Sequence, residues 1–199
     1  MSSVFDLSKE YLLEDDCVFL RPLQANDCKN LLLFSLNEPE LWKYSLVKVA
    51  GEENLKNYIA AALSARDSGR EYAFIVFDKR TQEFAGSTRF YDIQLSQKTL
   101  QLGYTWYGKK FHGTGLNKHC KYLLLQFAFE EIGMERVEFR ADNTNERSIA
   151  AMKSIGCVVE GVLRSSTIKA DGQRRDSIVL SILKNEWENG VRDRLLARL

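Results

Sequence analysis

Three runs rich in aromatic and branched side chains, Tyr72–Phe77, Phe84–Tyr91 and Leu100–Tyr107, follow one another with only the polar turns Asp78–Gln82 and Ser96–Lys98 between them. Connections this short join antiparallel neighbours, because a parallel pair needs a crossover of about a dozen residues or more. The chain is therefore predicted to build an antiparallel meander, and every other element must extend it or pack on it. Directly afterwards Leu116, Cys120, Leu123 and Phe127 recur at intervals of four, three and four, a helical stripe that Gly133 is placed to end.

The flanks supply the remaining elements. Cys17–Pro22 reads as a short strand stopped by proline, after which Asn26 or Asp27 caps a helix carrying Leu31, Leu32 and Phe34 and ending by Pro39. A second helix runs from about Glu52 to Asp67, with Leu55, Ile59, Ala62 and Leu63 on one face and Ser68-Gly69 at its end. Beyond the stripe, Val137 and Phe139 alternate with Glu138 and Arg140 as in a strand, and a short helix from about Asn145 to Ile155 ends at Gly156. Strands near Val158–Arg164 and Ser177–Leu183 flank the turn dipeptide Asp171-Gly172. The order β-α-α-β-β-β-α-β-α-β-β describes a mixed α/β domain with helices on a central sheet. A chain of 199 residues with 45% hydrophobic and 28% charged residues, and only Pro22 and Pro39 as prolines, fits one globular domain without a linker.

Charge narrows the partners. Lys plus Arg number 28 against 27 Asp plus Glu, so no general field holds nucleic acid or an anionic membrane, and any anion site must be local. No stretch approaches the roughly 18 apolar residues of a membrane span, and the start lacks a basic and an apolar leader region, so a cytoplasmic protein is expected. Cys17, Cys28, Cys120 and Cys157 are widely scattered, as reduced core cysteines are. His112 and His119 have no cysteine or acidic residue spaced to complete a metal site, so no metal is expected.

The segment Gly108–Leu116 joins the third run to the helix. The first turn of a helix offers unpaired N–H groups and a partial positive charge, and glycine lets a phosphate approach the backbone, so Gly113, Thr114 and Gly115 form a candidate pyrophosphate cradle. Two rival nucleotide motifs fail on their fixed offsets. Gly108 and Gly113 have Walker spacing, but Thr114-Gly115 stands where Lys and Ser or Thr are required; Gly113 and Gly115 have dinucleotide spacing, but Lys118 replaces the third glycine.

Lys110-Phe-His-Gly113-Thr-Gly115 resembles the Q/R-x-x-G-x-G/A loop of the GCN5-related N-acetyltransferases (GNAT). Asn145-Glu-Arg-Ser148 with Lys153-Ser-Ile-Gly156 is similar to that family's N-x-x-S…K-x-G-F segment. Leu20-Arg21-Pro22-Leu23, Glu160-Gly161-Val-Leu-Arg164, Asp171-Gly172, Asp176 and Glu186-Trp187 look like its Rim-type branch, which acetylates the N-terminal α-amine of ribosomal proteins. The resemblance covers roughly residues 16 to 188 of a single domain, 1–199. It implies a mostly antiparallel mixed sheet of about seven strands with about four helices, splayed open beside the loop.

On that resemblance the chain transfers the acetyl group of acetyl-coenzyme A (acetyl-CoA) to a primary amine, most naturally a protein N-terminus, and works as a monomer or homodimer. Backbone groups near Trp106 and Tyr107 pair with the pantetheine arm; Lys110, Phe111, His112, Gly113, Thr114, Gly115 and Leu116 hold the pyrophosphate; Asn145 and Ser148 complete the donor site. Two positions depart from the family. Gln101 stands where many relatives have a Glu base, and Met152 where many have a Tyr near the sulfur. Catalysis would then rest on backbone stabilisation of the oxyanion, Ser148 or water near the thiol, and a water chain for the amine proton. Glu38, Glu40, Trp42 and Tyr44 offer charge and aromatic faces to a cationic acceptor, and the family places Arg89 and Tyr91 in the same region. Two alternatives stand beside this one: acetylation of a small-molecule amine, and a catalytically weak acetyl-CoA sensor.

Overall fold

The computed structural model describes residues 5–199. One sheet holds the strands β1 (Leu13–Glu14), β2 (Val18–Pro22), β3 (Tyr72–Asp78), β4 (Glu83–Gln94), β5 (Thr99–Tyr107), β6 (Arg136–Asp142), β7 (Val158–Ile168) and β8 (Arg174–Leu183) in the order β1-β2-β3-β4-β5-β6-β8-β7. The meander is β3-β4-β5, as the short turns require. Every neighbouring pair is antiparallel except β5 with β6. The eighth strand is the two-residue β1, too short to show a period of two in sequence.

Alternation along β3 explains the layers. Tyr72, Phe74 and Val76 join one apolar cluster with α3 (Leu116–Gln126) and α4 (Glu146–Ser154). Ala73 and Ile75 point the other way, to α1 (Cys28–Asn37) and α2 (Glu52–Asp67) through Leu31, Leu55, Tyr58 and Ile59. Large side chains such as Phe74, Phe90 and Phe127 are almost fully buried, each contributing about 2–3 kcal/mol of transfer free energy.

Two departures concern α3. The helix continues through a wider turn at Phe127–Glu131 before Gly133, at φ 81°, ends it. Its buried face also includes His119, Lys121, Leu124 and Leu125, while Leu123 is only half-buried. The stripe widens because the C-terminal segment covers a second side of the helix: Trp187 stacks on Phe129 and lies beside Tyr122, and Val191 and Leu195 are buried. Strands β7 and β8 extend toward each other further than Val158–Arg164 and Ser177–Leu183. Among the described residues, no helix is long and apolar enough to cross a membrane.

The sheet opens at one place. Strand β5 pairs with β6 only through Thr99, Leu100 and Gln101; beyond that, β5 follows β4 and β6 follows β8. A bulge lies on the diverging half of β5: Ser87 opposes Trp106 and Arg89 opposes Gly103, so β5 has one residue more than β4 over this interval. Tyr104 takes φ 47° there. An extra residue bends its strand and increases local twist, which carries β5 away from β6.

Candidate active site

The loop Gly108–Leu116 begins where β5 leaves the sheet. Gly108 sits there for want of space, since a Cβ would lie 2.3 Å from the Phe34 ring. Gly113 and Gly115 serve another need: both have positive φ, 77° and 89°, and a Cβ on either would meet nothing within 4 Å. Among the described residues, the amides of Gly113, Thr114, Gly115 and Asn117 donate to no protein acceptor, whereas Lys118 N–H already bonds the Gly115 carbonyl at 2.8 Å. Four unpartnered donors at a helix N-terminus are an arrangement that in general attracts anions with several oxygens.

Cations frame it. Arg80 bonds the Thr114 carbonyl at 3.0 Å through Nη1 while holding Asp78 with its other nitrogens. His112 bridges two elements: Nε2 donates to the Tyr107 carbonyl at 2.9 Å, which leaves Nδ1 to accept from Arg147 Nη1 at 3.0 Å. Arg147 thus comes to the loop from the first turn of α4. Lys110, by contrast, is held by Glu83 at 2.5 Å. Neither Arg80 nor Arg147 stands out in sequence, because contacts over 34 and 35 residues leave no local pattern. Phe111 is buried against Phe34 and fixes the loop from below.

Across the opening, Asn145 caps α4, its Oδ1 accepting the Ser148 amide at 3.1 Å. Met152 is buried in the core. Trp106 packs edge-on to Trp42 at 4.7 Å, and the Tyr44 hydroxyl reaches the Thr144 carbonyl at 3.5 Å, so the α1–α2 connection leans over the opening. Glu38 is engaged elsewhere, accepting the Lys109 amide at 2.7 Å, and Glu40 pairs with Lys109 Nζ at 2.6 Å.

Arg89 is 4% exposed, clamped between the rings of Tyr58 and Tyr104 and paired with Glu71 at 2.5 Å. Burial raises the Tyr91 hydroxyl pKa, and the neighbouring Tyr104 adds to it. Gln101 donates to Asp92 at 2.8 Å, so a carboxylate from β4 stands beside the position that lacks one. A cavity of about 430 Å³ lies between the α1–α2 connection and the β7–β8 turn, lined by Trp42, Lys43, Ser45, Lys169 and Asp171 among others.

The histidines also meet partners that spacing did not disclose. His119 Nδ1 lies 2.7 Å from Asp15 Oδ2, with Cys17 close by. Asp15 Oδ1 accepts the amides of Cys17 and Val18 at 2.8 Å, so the cluster ties the β1–β2 turn to α3.

Residues 18–158 match the family profile described as the acetyltransferase (GNAT) domain. A provisionally assigned acetyltransferase of T. thermophilus superposes with a TM-score of 0.85 at 35% identity, over 94% of this chain and 96% of that one. YdaF of Bacillus subtilis, provisionally named a ribosomal N-acetyltransferase, is 32% identical over 103 residues, 52% of this chain; the match spans about half of YdaF, 55% of its length. Mycobacterium smegmatis RimJ, solved with CoA-disulfide, shares the fold with a TM-score of 0.77 at 20% identity, over 95% of this chain and 93% of that one.

Proposed function

This chain belongs to the GNAT acetyltransferase family, and we propose that it passes the acetyl group of acetyl-CoA to the α-amine at a protein N-terminus. The carrying observation is the row of unpartnered amides at Gly113, Thr114, Gly115 and Asn117, set where β5 and β6 part. Such a row suits the pyrophosphate of the acetyl donor, with Arg80 and Arg147 adding charge nearby. The pantetheine arm then extends along the unpaired edge of β5 like an added strand.

A neutral amine attacks the thioester carbonyl, the oxygen gains negative charge that backbone N–H groups near the bulge receive, and the sulfur departs. Gln101 cannot take the amine proton, so a water chain does, with Asp92 within its reach. This arrangement favours an α-amine, whose reference pKa of about 7.7–8.0 leaves a sizeable neutral fraction near pH 7; a lysine side chain at about 10.4 has very little. The provisional name of YdaF, a ribosomal N-acetyltransferase, supports a protein acceptor.

The test is single-turnover acetyl transfer to peptides with free or blocked N-termini, and to polyamines. Acetylation of free α-amines is the expected outcome; exclusive acetylation of polyamines would move the acceptor to small molecules. A second reading, an acetyl-CoA sensor, draws on Gln101 and Met152, neither of which moves a proton. Tight donor binding with no acetylated amine would select it.

A further inference from the structure

Lys121 is 5% exposed, on the face of α3 that packs toward β5 and β6. Its Nζ lies 2.8 Å from Thr105 Oγ1, on the diverging half of β5, and 5.9 Å from the ring centroid of Phe139, on the diverging half of β6. The amine therefore spans the foot of the opening, with one neighbour on each side. Among the described residues no carboxylate pairs with it. The titratable groups that act on it are Cys120 on its own helix and Cys157 after α4, both thiols that burial holds neutral, with pKa values pushed up to about 12. Thr105 Oγ1 also shares a hydrogen bond with Thr88 Oγ1 at 2.7 Å.

A buried amine with no counter-charge is expensive to keep. At this place it meets a chemical need. A thiolate expelled there takes up a proton, Met152 has none to give, and Ser148 donates poorly at neutral pH.

We propose that Lys121 is the proton donor to the coenzyme A sulfur as the thioester bond breaks; this rests on the acetyl-transfer reading above. The carbon–sulfur bond breaks with its electron pair going to sulfur, a Nζ–H bond breaks, and an S–H bond forms. The neutral amine then regains a proton from solvent, while the proton shed by the acceptor nitrogen leaves through water. Desolvation lowers the Lys121 pKa to about 8 and raises that of a thiol, as at Cys120 and Cys157, so the same surroundings favour moving the proton from nitrogen to sulfur.

The experiment compares wild type, Lys121→Met and Lys121→Arg by calorimetric binding of acetyl-CoA and by kcat from pH 6 to 10 with a saturating peptide acceptor. The expected result is acetyl-CoA affinity within about threefold in all three, and kcat lowered about 100-fold in both variants, the lower range for general acid catalysis. Wild-type kcat should fall above about pH 8, and that limb should vanish in both variants. Arginine keeps the charge and cannot donate near neutrality, so a kcat restored to within threefold by Lys121→Arg would overturn the proposal in favour of charge placement. A Lys121→Met enzyme as fast as wild type would also end it, leaving acetyl transfer intact. A wild type that binds acetyl-CoA nowhere would remove both readings. If the methionine variant does not fold, the arginine variant and the wild-type limb decide.

Discussion

At Gly113 the open side of the loop turns into a measurable charge effect. Because no atom lies within 4 Å of a Cβ built there, Gly113→Asn and Gly113→Asp should both fold, with a backbone cost of about 1–2 kcal/mol from the left-handed φ. Their difference is electrostatic: the aspartate would set a negative charge among the four unpartnered amides. Calorimetry should show acetyl-CoA binding at least ~10-fold weaker for Asp than for Asn, about 1.4 kcal/mol or more. Equal affinities would take the pyrophosphate away from this turn. Gly108, in the same loop, answers to packing against Phe34, so one stretch holds glycines for two unrelated reasons.

At the scale of the element, α4 separates stability from binding. Asn145 is its N-cap, and serine caps about as well, so Asn145→Ser should leave the urea midpoint nearly unchanged while Asn145→Ala loses about 1 kcal/mol. If the Asn145 side chain also contacts the acetyl donor, the serine variant binds acetyl-CoA more weakly despite intact stability. A serine variant with full affinity would confine Asn145 to capping. The start of α4 near Asn145 was legible in the sequence because helix-start signals are local, and the meander because its turns are short. The bulge at Tyr104 was not, since a positive φ on a tyrosine is imposed by the β4–β5 register. Nor were Arg80–Thr114, Arg147–His112 and Asp15–His119, which depend on distant segments meeting. The stripe assigned to α3 held at Leu116, Cys120 and Phe127 but was too narrow for a related reason: only the packing of distant segments buries Lys121 and its neighbours on the helix.

For the whole molecule, the enclosed lysine makes stability and activity pull apart with pH. In the unfolded chain Lys121 titrates near its ordinary 10.5, and in the folded protein near 8. Between these values the unfolded chain binds more protons, so stability rises with pH across that window and the full penalty applies below about pH 8. The displacement corresponds to about 3 kcal/mol at pH 7. Lys121→Met, which fits an apolar enclosure, should therefore be more stable than wild type by about that amount at pH 7, and the advantage should shrink to near zero by about pH 10.5. Urea unfolding of both proteins at pH 7, 9 and 10.5 measures the difference directly, and taking the difference cancels the alkaline titration of the buried thiols and tyrosines common to both. A constant offset across the range would mean that Lys121 is charged and compensated in the folded state. A shrinking one would place a destabilising charge at the foot of the opening between β5 and β6, where a sheet selected for stability alone would have an apolar side chain.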